Sequence, residues 1–287
     1  MDVRKFIDLH VHIGPEPIPR KFTLQSLLAE ESGKIAGFAL KNHFYPTPPI
    51  VRTVEVPDSV DVIGSIVLNN YVGGLNPEAI RAAAELSEKP IIVWFPTINA
   101  RNFLMKSEYE VRPEWSEGRT IPRLSKDVKC VNVCTGKKLS GAAKTVLAAI
   151  ADNGCTLATG HLSCSETELL VEEAIDLGIE RIILTHPLYP LIDMPIDLQR
   201  RLTKAKGIYV EHSYSMYLID GISIGKIAES IIRVGPSKCI LTSDMGQVGN
   251  PSPSVALADF SRLLLGEGIS SSAIRLMGIT NPRFLSV

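Results

Sequence analysis

The chain is organised around the stretch Phe6-Ile7-Asp8-Leu9-His10-Val11-His12-Ile13, which a Gly14-Pro15 break follows. Apolar and polar residues alternate in this stretch, and the alternation predicts a β-strand. Because successive side chains on a strand point to opposite faces, we expect His10 and His12 on one face. Two imidazoles on one face can bind one metal ion. The alternative is two polar residues at a strand end near solvent. The opposite face is expected to carry Ile7, Leu9 and Val11.

The composition is that of a globular protein with a large core. Of the 287 residues, 45% are hydrophobic, and the formal net charge is -1. This charge balance, with no run rich in Lys and Arg, argues against a nucleic-acid or membrane-surface partner. No signal-peptide core follows Met1, and no apolar run reaches the ~18 residues of a membrane span. We therefore expect a cytoplasmic protein that acts on a small molecule, and a homo-oligomer is compatible with this composition.

The cysteines predict neither a disulfide framework nor a zinc site made of cysteines alone. Their odd number and the lack of a secretion signal predict free thiols. A zinc site built from cysteines alone would need a second close pair beside Cys130 and Cys134, and the sequence has none. The cysteines are Cys130, Cys134, Cys155, Cys164 and Cys239.

Eight apolar segments alternate with segments of helical character. Because these strands are apolar on both faces, they predict a parallel sheet covered by helices. Eight such units in a chain of this length favour a single (β/α)8 TIM barrel domain over residues 1–287, since barrels of ~250 residues are common. No glycine-rich dinucleotide fingerprint supports an open sheet instead. The predicted strands after the first are 35–44, 60–68, 91–95, 156–163, 181–186, 208–213 and 239–243.

An insertion of about residues 99–135 follows the fourth strand. It is mostly polar, and we interpret it as a loop or cap over one end of the fold, with a short extra strand at 128–133. After the fifth strand, Ser165 and Glu168 have the spacing of a capping box, which predicts the start of a helix. The predicted helices are 24–32, 77–88, 140–153, 165–178, 196–206, 224–234, 255–265 and 271–277.

The histidines fall at or near the carboxyl ends of predicted strands, and none falls in a helix. In a barrel these ends meet at one face, where active sites are built. Asp244 follows the eighth strand at the same face. Surface histidines would scatter among helices and loops, so the pattern predicts a transition-metal site. The histidines are His10, His12, His43, His161, His186 and His212.

These motifs resemble those of the amidohydrolase superfamily of metal-dependent barrel hydrolases. His10-x-His12 is similar to the superfamily's opening motif, and His161 in Thr159-Gly160-His161 resembles its fifth-strand ligand. His186 before Pro187 resembles the sixth-strand ligand, and Asp244 after Ser243 the eighth-strand aspartate. The closing residues 280–285 resemble the last helix. The resemblance covers nearly all of the chain except about 99–135, and a poorly characterised branch is the nearest match.

The resemblance implies a divalent transition metal, with zinc expected, as one or two ions. The implied ligands are His10, His12, His161, His186 and Asp244. Many two-metal members carry a bridging carbamylated Lys or a Glu on the fourth strand, but here 91–97 has neither. Lys41 could supply that group from the second strand. Otherwise the site holds one tightly bound ion, with a weaker second.

Further roles follow from the resemblance and from the residue types. The metal is expected to activate water and polarise the substrate, with Asp244 taking the proton and delivering it to the leaving group. Lys41 and His43 are candidates to orient the scissile group, although Lys41 could instead neutralise a buried Asp8 or Asp244. His212 either orients a ligand or is a lone polar residue at a strand end. Arg101, Tyr109 and Arg112 either contact an anionic substrate or are solvated.

The leading hypothesis is a metal-dependent hydrolase of an amide, ester, lactone or phosphoester. One alternative is a phosphoesterase of the polymerase-and-histidinol-phosphatase type, but its Asp-x-His ending is absent, since Met245 and Gly246 follow Asp244. Another is a decarboxylase on the same barrel. A barrel that binds a ligand without catalysis is the alternative of another class, and the full set of ligand-type residues argues against it.

Overall fold

Short parallel strands alternate with helices along the chain in a computed structural model, which describes residues 2–106 and 129–287. The strands are β1 Ile7–His12, β2 Gly37–Lys41, β3 Asp61–Ile63, β4 Ser65–Val67, β5 Ile92–Trp94, β6 Cys134–Thr135, β7 Lys138–Leu139, β8 Thr156–Ala158, β9 Ile182–Leu184, β10 Ile208–Ser213 and β11 Cys239–Thr242.

The helices lie between these strands and after the last of them. They are α1 Leu24–Glu31, α2 Pro48–Thr53, α3 Pro77–Glu85, α4 Arg101–Lys106, α5 Gly141–Asp152, α6 Cys164–Asp176, α7 Ile196–Leu202, α8 Tyr214–Leu218, α9 Ile224–Val234, α10 Pro253–Gly266, α11 Ser271–Arg275 and α12 Asn281–Leu285. Short 3-10 helices cover Asn70–Val72 and Pro236–Lys238, and a π-helix covers Leu276–Thr280.

Nine of the strands form two parallel sheets whose order follows that of a (β/α)8 barrel, and β6 and β7 form a separate antiparallel pair. One sheet has the order β1-β2-β3, and the other β11-β10-β9-β8-β5-β4. Gly64 separates β3 from β4, so both belong to the third predicted strand. Where β1 meets the residues that follow β11, the backbone N–H of Asp244 donates to the carbonyl of His10 at 2.9 Å, and the backbone N–H of His12 donates to the carbonyl of Met245 at 2.7 Å. The predicted fold class is confirmed.

Two apolar layers hold this arrangement together, because the strands are buried on both faces. An inner cluster includes Leu9, Trp94 and Ile240, and it fills the space enclosed by the strands. An outer cluster, which includes Val11 and Val210, packs between the strands and the helices. Burial of these apolar side chains is the main stabilising term of the fold.

β1 does not follow the predicted alternation. Asp8 pairs with Phe38, but Val11 pairs with Leu40, so β1 carries one extra residue between these positions. This is a β-bulge, a feature that re-aims side chains next to active sites. The prediction that Ile7, Leu9 and Val11 share a face is therefore wrong, since Ile7 and Leu9 lie in the inner cluster and Val11 in the outer one.

Several predicted boundaries are also wrong for local reasons. The capping box lies at Ser163 and Glu166, two residues before the predicted pair, because β8 already ends at Ala158. Within the described part of 128–133 there is no strand; the antiparallel hairpin β6–β7 follows it instead. Sequence reasoning missed the short helices α2, α4 and α8, which are only 5 or 6 residues long, whereas α12 lies within the closing residues 280–285 that resemble a last helix.

Two simpler expectations concern the cysteines and the membrane. All five cysteines are free thiols. No helix within 2–106 or 129–287 combines the length and the apolar content that crossing a bilayer requires. Of the predicted insertion, the structure describes α4 and β6, the first strand of the hairpin, and residues 107–128 lie outside its description.

Candidate metal centre

The carboxyl ends of the strands bring five histidine rings into one continuous cluster. The ring of His10 lies 5.3 Å from that of His12 and 5.6 Å from that of His186, measured between centroids. His161 lies 5.1 Å from His186, and His43 lies 4.9 Å from His12. Histidines that are far apart in the sequence therefore share one site, which we call the histidine cluster.

Asp244 closes the cluster. Its Oδ1 atom lies 3.1 Å from Nε2 of His10 and 3.0 Å from Nε2 of His12, and the Ser215 hydroxyl donates to its Oδ2 at 2.7 Å. Burial raises the pKa of this carboxyl, but attraction to His10 and His12 outweighs burial and holds the pKa well below its usual range. Asp244 is therefore an ionised carboxylate at neutral pH.

The backbone at two of the predicted ligands has an uncommon conformation. Asp244 has φ 54° and His186 has φ 21°, both in a region that residues other than glycine seldom adopt. Such strained residues cost of order 1–3 kcal/mol each and concentrate at functional sites. The strain is consistent with a site whose side-chain directions are imposed by the surrounding strands.

A second buried carboxylate, Glu211 on β10, fixes the orientation of His10. Its Oε1 accepts a hydrogen bond from Nδ1 of His10 at 2.7 Å and one from the Thr242 hydroxyl at 2.8 Å, while Oε2 accepts the backbone N–H of His186 at 3.1 Å. Burial raises the pKa of Glu211, but the charge and hydrogen bond of His10 outweigh it and lower the pKa to about 2. Nε2 of His10 is thereby left facing Asp244.

The sequence analysis did not identify Glu211, because it chose the next residue, His212, as the candidate on this strand. Strand parity could have found it, since neighbours on a strand point to opposite faces and only one of the two can face the site.

The donor set fits a divalent transition metal. Buried nitrogen atoms without a hydrogen-bond partner among the described residues include Nδ1 of His12, Nδ1 of His161 and both ring nitrogens of His186. Burial lowers the pKa of His186 to about 4 and holds those of His12 and His161 well below the ordinary value. Neutral imidazoles beside a carboxylate are the ligands that zinc and similar ions prefer.

Lys41 and His43 lie beside the predicted ligands. Lys41 Nζ is 2.9 Å from Nε2 of His10, and burial lowers the pKa of Lys41 to about 8. Nδ1 of His43 is 2.9 Å from the Thr97 hydroxyl, which leaves its Nε2 for other contacts. Lys41 forms no hydrogen bond with Asp8 or Asp244, all three being described residues; Asp8 Oδ1 instead accepts backbone N–H groups of His10 and Ser243.

A cavity of about 170 Å³ opens onto the cluster. His12, His161, His186 and Asp244 line it, together with Lys41, His43, Tyr189, Ser215, Arg20 and Gln247. A larger cavity of about 740 Å³ lies beside Arg101 and the start of α6, but none of the predicted ligands lines it. We place the candidate site in the smaller cavity because the titratable and metal-ligating groups converge there.

The remaining predicted residues lie elsewhere. His212 is fully buried on β10, and both its ring nitrogens lack a hydrogen-bond partner among the described residues. Arg101, at the start of α4, is exposed and lines the larger cavity. Tyr109 and Arg112 lie outside the described residues.

A second group of donors could be considered for another ion. Ligand atoms of His12, Glu16 and His43 lie within 4.8 Å of one another. However, Oε2 of Glu16 already accepts hydrogen bonds from Arg20, at 2.7 Å from Nε, and Oε1 accepts the backbone N–H of His43. A guanidinium next to this carboxylate disfavours a second cation, so the His10, His12 and Asp244 group is the stronger candidate.

Solved structures similar to this one cover nearly the whole chain. A protein of Pseudomonas putida described as a 2-pyrone-4,6-dicarboxylic acid hydrolase has a TM-score of 0.58 and 12% identity, over 98% of this chain and 97% of that one. An amidohydrolase of Pseudomonas aeruginosa has a TM-score of 0.54 and 13% identity, over 98% of this chain and 94% of that one. A 2,6-dihydroxybenzoate decarboxylase of Rhizobium has a TM-score of 0.52 and 12% identity, over 99% of this chain and 98% of that one.

At these identities the similarity concerns the fold alone, and it confirms the predicted resemblance to the amidohydrolase superfamily at that level. No curated protein matches the chain in sequence. The sequence model of one family, described as a family of unknown function (DUF6282), matches residues 5–211. Because this match spans more than half of the chain, the protein belongs to the DUF6282 family, with the fold of the amidohydrolase superfamily.

Proposed function

We propose that this protein is an enzyme, and specifically a metal-dependent hydrolase whose metal is held by His10, His12 and Asp244, with His161 and His186 completing the site. The observation that carries the proposal is the approach of two imidazole nitrogens to one oxygen of Asp244, at 3.1 and 3.0 Å. Lone pairs of three such atoms repel one another unless a proton or a cation lies between them. A divalent ion satisfies all three at once.

The protein's own groups have distinct tasks in this proposal. A divalent ion bound there would supply Lewis-acid chemistry, activating water at neutral pH and polarising the scissile bond. Asp244 accepts the proton of the attacking water and passes it to the leaving group, while the Ser215 hydroxyl holds its Oδ2 atom in place. Glu211 keeps Nδ1 of His10 protonated, so that Nε2 would be the atom of His10 that holds the metal.

Lys41 and His43 line the same cavity and are proposed to orient the carbonyl or phosphoryl group that is attacked. Lys41 is fully buried, and its ammonium lies 5.2 Å from the centre of the Trp94 ring, so its position is set by packing. A hydrogen bond between its Nδ1 atom and the Thr97 hydroxyl fixes the position of His43. Both side chains can therefore donate hydrogen bonds into the cavity from defined positions.

Metal analysis of the purified protein tests this proposal. Growth in medium supplied with zinc, manganese and iron should yield about one to two equivalents of bound metal, with zinc expected. His10→Ala and His12→Ala should each strip the metal and abolish turnover while the helical circular dichroism remains. His212→Ala is the matched control, because it removes a buried histidine that does not line the cavity. Protein that binds no metal would rule out the proposal.

The reaction is then found with a panel of an ester, a lactone, an amide and a phosphoester, assayed with the metal-loaded protein. A decarboxylase on the same fold would release CO₂ from carboxylic acids and leave the hydrolysis panel untouched. His10→Ala protein, measured in parallel, separates turnover at this site from a contaminating activity.

A further inference from the structure

A buried arginine faces the same cavity from the loop that follows β1. Only 5% of the Arg20 side chain is exposed, and its backbone pairs with that of Gln247, close to Asp244 in the chain. The pairing and the burial hold Arg20 at one wall of the cavity. An arginine in such a position is costly to bury unless its charge has a partner.

Glu16 satisfies only part of the Arg20 guanidinium. Nε and Nη2 both approach the same oxygen of Glu16, Oε2, at 2.7 and 2.6 Å. A guanidinium has five N–H donors, and the others have no hydrogen-bond partner among the residues the structure describes. Arg20 is therefore held rigidly by one edge, and its remaining donors are available to a ligand in the cavity.

The cavity wall also presents cationic groups that a negatively charged ligand can contact directly. In the described lining, Arg20 and Lys41 are cations, and Asp244 and Asp220 are carboxylates. A divalent ion held by Asp244 would offset the charge of that carboxylate, and Arg20 and Lys41 are the side-chain cations of this lining that a ligand anion could contact.

We infer that the substrate carries an oxyanion, a carboxylate or a phosphate group, which binds Arg20 while the scissile bond lies at the histidine cluster. This inference rests on the function proposed above and names its class of substrate. Arginine suits this task because its planar fork binds carboxylate and phosphate oxygens bidentately. The cavity of about 170 Å³ limits such a substrate to a small molecule.

Calorimetric titration of the zinc-loaded protein with matched acids tests the inference. Malonate, succinate and glutarate are each compared with the monocarboxylate of equal carbon number: propanoate, butanoate and pentanoate. One carboxylate of each ligand can bind the metal, so the second reports on Arg20. At least one dicarboxylate should bind ~10-fold or more tightly than its partner, the size expected for a charge-assisted hydrogen bond. Phosphonoacetate replaces malonate in a parallel arm and distinguishes phosphate from carboxylate recognition.

The variants assign that difference to Arg20. Arg20→Gln should abolish the preference for the diacid, and Arg275→Gln, which changes an exposed arginine on α11, should retain it. Since Arg20→Gln leaves the buried Glu16 carboxylate unpaired, the double variant Glu16→Gln/Arg20→Gln repeats the test without an orphaned charge. A wild-type protein with no preference for diacids, or a preference that survives in the folded double variant, would overturn the inference.

A separate arm distinguishes failure of this inference from failure of the proposed function. If the protein cannot be loaded with metal, the proposed hydrolase is wrong, but the metal-free protein still reports on Arg20. In that arm butanoate is compared with 1-butanol, which lacks the charge. Tighter binding of butanoate that disappears in the Arg20 variants would support the anion site on its own, and equal binding would refute it.

Discussion

The Nδ1 atom of His10 donates a hydrogen bond of 2.7 Å to the buried carboxylate of Glu211. The carboxylate can only accept, because its pKa is lowered to about 2. The bond therefore sets the tautomer of His10 and joins the first barrel strand to the seventh. It also explains why Nε2, and not Nδ1, is the atom that approaches Asp244.

Glu211→Gln should weaken metal binding without unfolding the protein. The amide keeps the size of the side chain but loses the charge that orients His10, and such changes outside the ligand set cost about 10–100-fold in metal affinity. Competition with a chromogenic chelator measures the affinity. Glu173→Gln, at the exposed ion pair with Lys144, is the control. Equal affinities for the wild type and Glu211→Gln would contradict this role.

Asp244→Asn separates proton transfer from metal binding. Asn keeps one oxygen but is not basic, so turnover should fall by at least ~10²-fold, as is typical when a general base is lost. Metal content should fall less than in His10→Ala, because the four histidine ligands remain. Steady-state kinetics on the best substrate of the panel give the turnover number, and elemental analysis gives the metal content. Full activity in a metal-loaded Asn variant would exclude Asp244 as the base.

Gly246→Ala should damage the site through the backbone. Gly246 has φ 133°, and a Cβ atom there would lie 2.2 Å from the carbonyl oxygen of His12. The loop after β11 must move away from β1, so we expect a loss of stability above ~1 kcal/mol together with weaker metal binding. Gly249→Ala is the matched control, since Gly249 also has positive φ but nothing lies within 4 Å of its added Cβ. Thermal unfolding of both variants, with and without zinc, makes the comparison.

His212 should make the unfolding free energy depend on pH. Burial lowers its pKa to about 3, against an ordinary value of 6.5. Between these values the unfolded chain binds a proton that the folded chain does not, so stability is complete above pH 6.5 and falls as the pH drops towards 3. The slope is at most ~1.4 kcal/mol per pH unit from this residue.

His212→Leu should remove that contribution. Urea unfolding of wild type and variant between pH 4.5 and 6.5 should give a free-energy difference that shifts steadily in favour of the variant as the pH falls. The metal ligands titrate in both proteins, so their effect largely cancels in the difference. A difference that is independent of pH would show that His212 gains a proton in the folded state as readily as in the unfolded one.

The fold was predictable because its signals are local and repeated. Each barrel strand is a short apolar run, and the strand Ile208–Ser213 and the helix Ile224–Val234 have the predicted bounds. Helices such as α8 were not predictable, since five residues carry too little periodicity to distinguish a helix from a loop. Their formation depends on packing against neighbours that are distant in sequence.

The candidate site was predictable only in part. Histidines are rare enough that their position after successive strands indicates a cluster, and the structure brings five of them together. Glu211 and Arg20 were missed, because Glu and Arg are common on surfaces; strand parity was the one local signal for Glu211, and Arg20 has none. Their burial depends on contacts between elements, such as the pairing of Arg20 with Gln247, which no sequence period encodes.

The extra residue in β1 separates two tasks that a regular strand would tie together. On a regular strand, Ile7 and Leu9 could face the interior only if His10 and His12 faced away from it. With the bulge, both the apolar residues and the imidazoles face inward, and each half of the strand keeps its own parity. Ile7 or Leu9 can therefore be changed for packing by volume-conserving substitutions, while His10 and His12 continue to present the same two nitrogens to Asp244.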